Sequence, residues 1–111
     1  MFYKDNNENF KKILDGITIK TLAFGEKMLF SEFHMEKGSR LPLHSHLEEQ
    51  TGRLLKGRII LSIGVEKAEL KPGDCWIVPS NIEHGAEIVE ESIAIEIFSP
   101  VREDYLKYFT Q

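Results

Sequence analysis

Apolar residues along the chain fall into short runs, and most of the runs alternate. Residues 28–36 show this best: Leu29, Phe33 and Met35 share one parity, while Glu32, His34 and Glu36 share the other. That is the period-two signature of a strand with one buried face. His34 therefore reads as a solvent-facing or interface residue. Residues 17–24 repeat the pattern with Ile17 and Ile19, and Gly25-Glu26-Lys27 supplies a turn. Residues 9–14 read as a short helical turn or loop ending near Gly16. Residues 41–45 form a further segment whose Pro42 marks an edge or irregular start. Residues 50–56 and 58–63 read as two strands split by Gly57. A hairpin turn at 64–67 leads into 68–70, and Pro72-Gly73-Asp74 is a strong turn signal before the apolar strand 75–78. Residues 86–89 and 92–98 read as the last two strands, with Glu87, Glu90 and Glu91 at a solvated hairpin tip. Ser99-Pro100 then looks like a helix cap followed by the first helical position. It predicts a short C-terminal helix over about residues 101–109, docked through Tyr105, Tyr108 and Phe109. Many short strands with frequent turns predict an all-β sandwich or barrel.

Composition narrows the function. With 111 residues the chain has the length of one domain, which excludes a multidomain enzyme. The 14 Lys and Arg residues are outnumbered by 18 Asp and Glu, and the net charge is -4. No basic stripe is present, so no nucleic-acid partner is expected. The single cysteine, Cys75, cannot form an internal disulfide, and it reads as a packed thiol rather than a nucleophile. The first residues lack the apolar core of a signal peptide, and no run approaches the ~18 apolar residues of a membrane helix. A cytoplasmic protein with no membrane partner is the expectation.

The chemistry lies in the four histidines. His44 and His46 are two apart, so on a strand they present two imidazoles to one side. Gln50 follows a possible kink at Leu47-Glu48-Glu49 and can bring an amide oxygen to the same point; Glu48 or Glu49 can replace it if the loop is shaped otherwise. His84 comes from a distant turn. The glycine and proline spacing around these residues is more specific than the histidines alone. Gly38, His44, His46, Gln50 and Gly57 form one pattern, and Gly73, Pro79, Asn81 and His84 form a second.

These two patterns, at residues 38–57 and 73–84, resemble the two motifs of the cupin superfamily. The resemblance implies a double-stranded β-helix, the cupin jelly-roll barrel, as a single domain over 1–111. It also implies one divalent transition metal inside the barrel, held by His44, His46 and His84. Gln50 stands where the usual pattern has Glu, and Asn81 where it has Gly. Asn tolerates the left-handed backbone that such a turn requires. Three imidazoles and an amide are all neutral, so the metal keeps its full charge as a Lewis acid. This set departs from the two-His, one-carboxylate site of oxygen-activating iron enzymes, which counts against a metal-dependent dioxygenase. Imidazole-rich sites suit Zn, Ni, Fe, Cu or Mn, and the sequence does not choose among them.

In the last strand, Ile93, Ile95 and Ile97 share one face, and Ala94, Glu96 and Phe98 the other. If Glu96 looks into the barrel, the isoleucines point outward and need cover from an N-terminal segment or a second subunit, so a homodimer is expected. The following Ser99-Pro100-Val101-Arg102-Glu103-Asp104-Tyr105, together with the histidines, Pro72-Gly73-Asp74 and Trp76, resembles the pectin-degradation-protein group of small cupins. That resemblance covers about residues 43–106. It implies conversion of 4,5-unsaturated monouronates, derived from pectin or alginate, to linear keto forms, an isomerase-like ring opening and tautomerisation of a small acidic sugar. It places Glu96 and Arg102 as catalytic residues, with Arg102 and Phe98 binding substrate. A non-catalytic sugar-binding or sensing cupin is the alternative.

Overall fold

A computed structural model describes residues 1–110; residue 111, the last of the expected domain, lies outside them. Eight strands run in chain order: β1 (Lys11–Leu14), β2 (Ile17–Phe24), β3 (Leu29–Met35), β4 (Arg40–His44), β5 (Glu49–Ile63), β6 (Glu66–Leu70), β7 (Cys75–Val78) and β8 (His84–Ser99). They form one sheet in the order β1-β2-β3-β8-β5-β6, with β4 added to β8 and β7 to β5. All strand pairs are antiparallel. A six-residue 3-10 helix, Glu103–Tyr108, closes the chain. No helix among the described residues is long and apolar enough to cross a membrane.

The long β5–β8 ladder organises the barrel. It runs from Glu49 opposite Ser99 to Ile63 opposite His84. One half is flanked by β3 and β7, the other by β4 and β6. Between the halves the register slips around Lys56–Arg58. Gly57 sits there with a φ of +92°, and a Cβ would overlap the Ser92 hydroxyl and the Glu91 carbonyl. The bulge changes which parity of β5 faces inward: Gln50, Gly52 and Leu54 are buried before it, and Ile59 after it. An extra residue in one strand has this effect because side chains alternate with period two. Two expected strands are therefore one bulged strand. The expected hairpin tip at Glu87, Glu90 and Glu91 is likewise an exposed stretch within a continuous β8.

The core is the inward set of this barrel: Ile17, Ile19, Leu29, Phe33, Met35, Leu54, Ile59, Trp76, Val78, Ala86, Ile88, Ala94 and Phe98. The N-terminal segment differs from expectation. Residues 11–14 pair with β2 as strand β1 rather than forming a helical turn, because extended pairing satisfies their backbone groups against an existing edge. At the other end, the expected helix is only the 3-10 turn. Arg102, not Ser99, occupies the N-cap position, it makes no side-chain cap, and the Ser99–Pro100 peptide is cis. The turn docks as expected through aromatic side chains: Tyr105 packs edge-on against Phe33 and Phe98. Thr21 anchors it with a 2.6 Å hydroxyl bond to the Tyr105 carbonyl. Cys75 is exposed at the start of β7, so it is not a packed thiol; the inward places on that strand go to Trp76 and Val78.

Candidate metal centre

His44 ends β4 and His84 begins β8, directly opposite it in the ladder. His46 lies in the connection to β5. That connection is tied to the turn before β8 by the Asn81 N–H on the His46 carbonyl at 2.8 Å and the Ser80 hydroxyl on the Leu47 carbonyl at 2.5 Å. Asn81 adopts the left-handed backbone its position demands, with φ at +63°. The three rings converge: centroids are 4.2 Å apart for His44–His84, 4.9 Å for His46–His84 and 5.7 Å for His44–His46.

Each ring has its Nδ1 fixed by a nearby backbone carbonyl. His44 Nδ1 donates to Pro42, His46 Nδ1 to Glu48 and His84 Nδ1 to Ile82, at 2.8, 2.9 and 2.8 Å. A carbonyl only accepts, so each Nδ1 carries the hydrogen and each Nε2 is left with a lone pair. A donor atom from each of the three rings lies within 4.8 Å of the others. His46 Nε2, His84 Nε2 and Gln50 Oε1 are all buried without a hydrogen-bond partner. Buried acceptors facing one another without a donor are costly, and a cation at their centre removes that cost. The three histidines thus fit a divalent metal, and the unpartnered Gln50 amide oxygen is a further neutral donor on the same cavity. Burial holds His84 down at a pKa of about 4 and lowers His46 as well, with Arg102 adding to the effect at His46. Both rings are therefore neutral and ready to ligate near neutral pH.

Gln50 rather than its neighbours lines the cavity shared with His44 and His84. It is buried on β5, while Glu49 is exposed and the Glu48 carboxylate lies 3.5 Å from His46 Nδ1, the nitrogen turned away from the centre. His34 is remote, as expected: it contacts Glu32 at 2.6 Å and stacks on Phe10.

Glu96 faces inward from β8, on the same parity as Ala94 and Phe98. Its Oε2 accepts from Gln50 Nε2 and, at 3.5 Å, from Trp76 Nε1. Burial pushes its carboxyl up to about 7, against the pull of those two donors and of Arg102. Arg102 is also drawn in, with a side chain only 14% exposed. Its guanidinium lies 4.0 Å from the Tyr105 ring centre and 5.2 Å from that of Phe98, and its Nε reaches Asp104 at 3.2 Å. Phe98 is fully buried, edge-on to His46. His44, Gln50, His84, Glu96, Phe98, Arg102 and Tyr105 line one cavity of about 40 Å³. The sequence reading missed Tyr105 as a wall of this cavity and Trp76 as a donor to Glu96. The signal for Trp76 was the alternation of β7, which turns Trp76 and Val78 inward.

Comparison with known proteins agrees with this geometry. Residues 31–99 match the family described as Cupin domain (Cupin_2). The chain is 30% identical over 107 residues to the pectin degradation protein KdgF of Dickeya dadantii, covering 95% of this chain and 97% of that one. It superposes on the structure of KdgF from Halomonas sp. with a TM-score of 0.88 at 27% identity, over 94% of this chain and 98% of that one. An RmlC-like cupin from Shewanella frigidimarina shares the fold with a TM-score of 0.89 at 24% identity, over 95% and 96% of the two chains.

Proposed function

The chain belongs to the cupin-domain family, and on that footing we propose that it is a metal-dependent enzyme converting 4,5-unsaturated monouronates to linear keto forms. The observation that carries this reading is the shared cavity. Two histidines of the three-histidine cluster, His44 and His84, meet an inward carboxyl and a nearly buried arginine there. The similarity to a pectin degradation protein supports a substrate drawn from pectin breakdown.

The proposed reaction is an isomerisation. Opening the hemiacetal breaks the bond between C1 and the ring oxygen and releases the O1 proton. The enol left at C5 then becomes a ketone by gaining a proton at C4, so no atom is gained or lost. A bound metal supplies Lewis acidity toward sugar oxygens. Arg102 offers a planar fork to the uronate carboxylate, and its stacking on Tyr105 holds that fork flat. Glu96 carries the proton from O1 to C4; a carboxyl with a pKa of about 7 exchanges protons readily near neutral pH. Phe98 closes the wall against water. A cavity of about 40 Å³ has room for a few waters, at ~10–15 Å³ of such space each, and none for a whole sugar, so in this reading the ring sits at the mouth and presents its oxygens inward.

The test is decay of the enol-ether absorbance of unsaturated galacturonate or mannuronate, compared with the spontaneous rate. Acceleration that is lost in His84→Ala and restored by no added metal supports the reading. No acceleration with any of zinc, nickel, iron or manganese refutes it, and saturable sugar binding in that case identifies a binding module instead. We also propose a cytoplasmic homodimer. Its support is the outward row of Ile93, Ile95 and Ile97, which is half-buried to exposed in the single chain.

A further inference from the structure

We propose that Trp76 and Gly52 are positioning residues that decide which end of the Gln50 amide meets the metal. Three strands lie side by side at this level. Gly52 on β5 is in register with Trp76 on β7 and with Glu96 on β8. Trp76 and Glu96 are thus separated by an intervening strand, a span of ~10 Å between backbones. The indole crosses that strand to bring Nε1 within 3.5 Å of Glu96 Oε2. It does so by lying on Gly52: a Cβ there would stand 2.5 Å from the indole ring carbons and 2.6 Å from Nε1 itself. Only glycine leaves room for the crossing.

The same oxygen, Glu96 Oε2, accepts from Gln50 Nε2. Because the indole can only donate, it holds Oε2 as an acceptor whether or not the carboxyl carries a proton. An acceptor at that point admits the NH₂ end of the amide and rejects the oxygen. Gln50 Oε1 is thereby turned to the opposite side, buried with no hydrogen-bond partner, on a residue that lines the same cavity as His44 and His84. Without the clamp, the amide can flip and offer the metal an NH₂ group, which does not ligate. Outer partners of this kind are typically worth about 10–100-fold in metal affinity. The clamp also separates the two oxygens of Glu96: Oε2 orients the ligand, and Oε1 is left for the cavity.

This inference rests on the metal centre of the proposed function but not on the sugar, so its readout is the metal itself. Cobalt(II) affinity is measured by chelator competition, together with the visible absorption of the cobalt complex. The proteins are wild type, Trp76→Phe, Gln50→Ala and the double variant. We expect Trp76→Phe to weaken cobalt by about tenfold or more and to shift the spectrum toward that of Gln50→Ala. The double variant should bind like Gln50→Ala alone. Wild-type affinity and spectrum in Trp76→Phe, or a loss that adds in full to that of Gln50→Ala, overturns the proposal. If Trp76→Phe does not fold, Glu96→Leu removes the same acceptor and is judged by the same two outcomes. A wild-type protein that binds no cobalt overturns both this proposal and the metal centre, whereas a protein that binds cobalt and turns over no uronate overturns only the function.

Discussion

Burying Glu96 has a measurable consequence for stability. Its folded pKa of about 7 stands above an ordinary 4.5 because burial disfavours the carboxylate. In this window the folded protein holds a proton that the unfolded chain has released. Stability therefore falls as pH rises from 4.5 toward 7, and the contribution is intact only below that range. At about 1.4 kcal/mol per tenfold, the gap corresponds to about 3 kcal/mol of destabilisation above neutral pH. Glu96→Gln is the matched comparison, since an amide has the shape of the protonated acid and no charge. His84 acts in the opposite sense: its pKa is depressed from 6.5 to about 4, so its neutral burial favours folding increasingly as pH rises through that range. Because His84 is present in both proteins, it cancels from the difference. The assay is urea unfolding of metal-free wild type and Glu96→Gln across the acid-to-neutral range. We expect the variant to gain on wild type by about 3 kcal/mol between the two ends. Adding metal should narrow the gap, because a nearby cation favours the carboxylate. Two stability curves that stay parallel through the window would refute the reasoning.

Gly57→Ala should cost at least about 2 kcal/mol in the same unfolding assay, because the left-handed bulge leaves no space beside Ser92. Arg102→Lys keeps the charge but loses the planar fork and the stacking on Tyr105; we expect KM for an unsaturated uronate to rise about tenfold with little change in fold by circular dichroism. Ile95→Asp places a charge in the outward apolar row and should convert a dimer to a monomer by light scattering, while the metal content per chain is unchanged.

The family and the metal cluster were legible in the sequence because they depend on local spacing. His44 and His46 sit two apart on an extended segment, glycines fall at the turns, and a strand end carries His84. The inward face of β8 was legible too, since strict alternation across Ile93–Phe98 leaves only two choices. What failed were boundaries governed by pairing. Gly57 looked like a break between strands, but a bulge and a break have the same local composition. Only the partner strand β8, running unbroken past it, makes it a bulge. The C-terminal segment carried helix signals at Ser99 and Pro100, yet docking on Phe33, Phe98 and Thr21 set where and how it coils.

The sequence alone put forward His44, His46 and His84 as candidate ligands and left Gln50, Glu48 and Glu49 open for the fourth place. Tertiary structure decided how those ligands are aimed. The tautomer of each histidine follows from a carbonyl only two residues away, whereas the orientation of the Gln50 amide depends on Glu96 and on an indole that crosses a strand. Period and spacing are properties of one chain segment. A hydrogen bond between segments tens of residues apart exists only once the sheet has fixed their register.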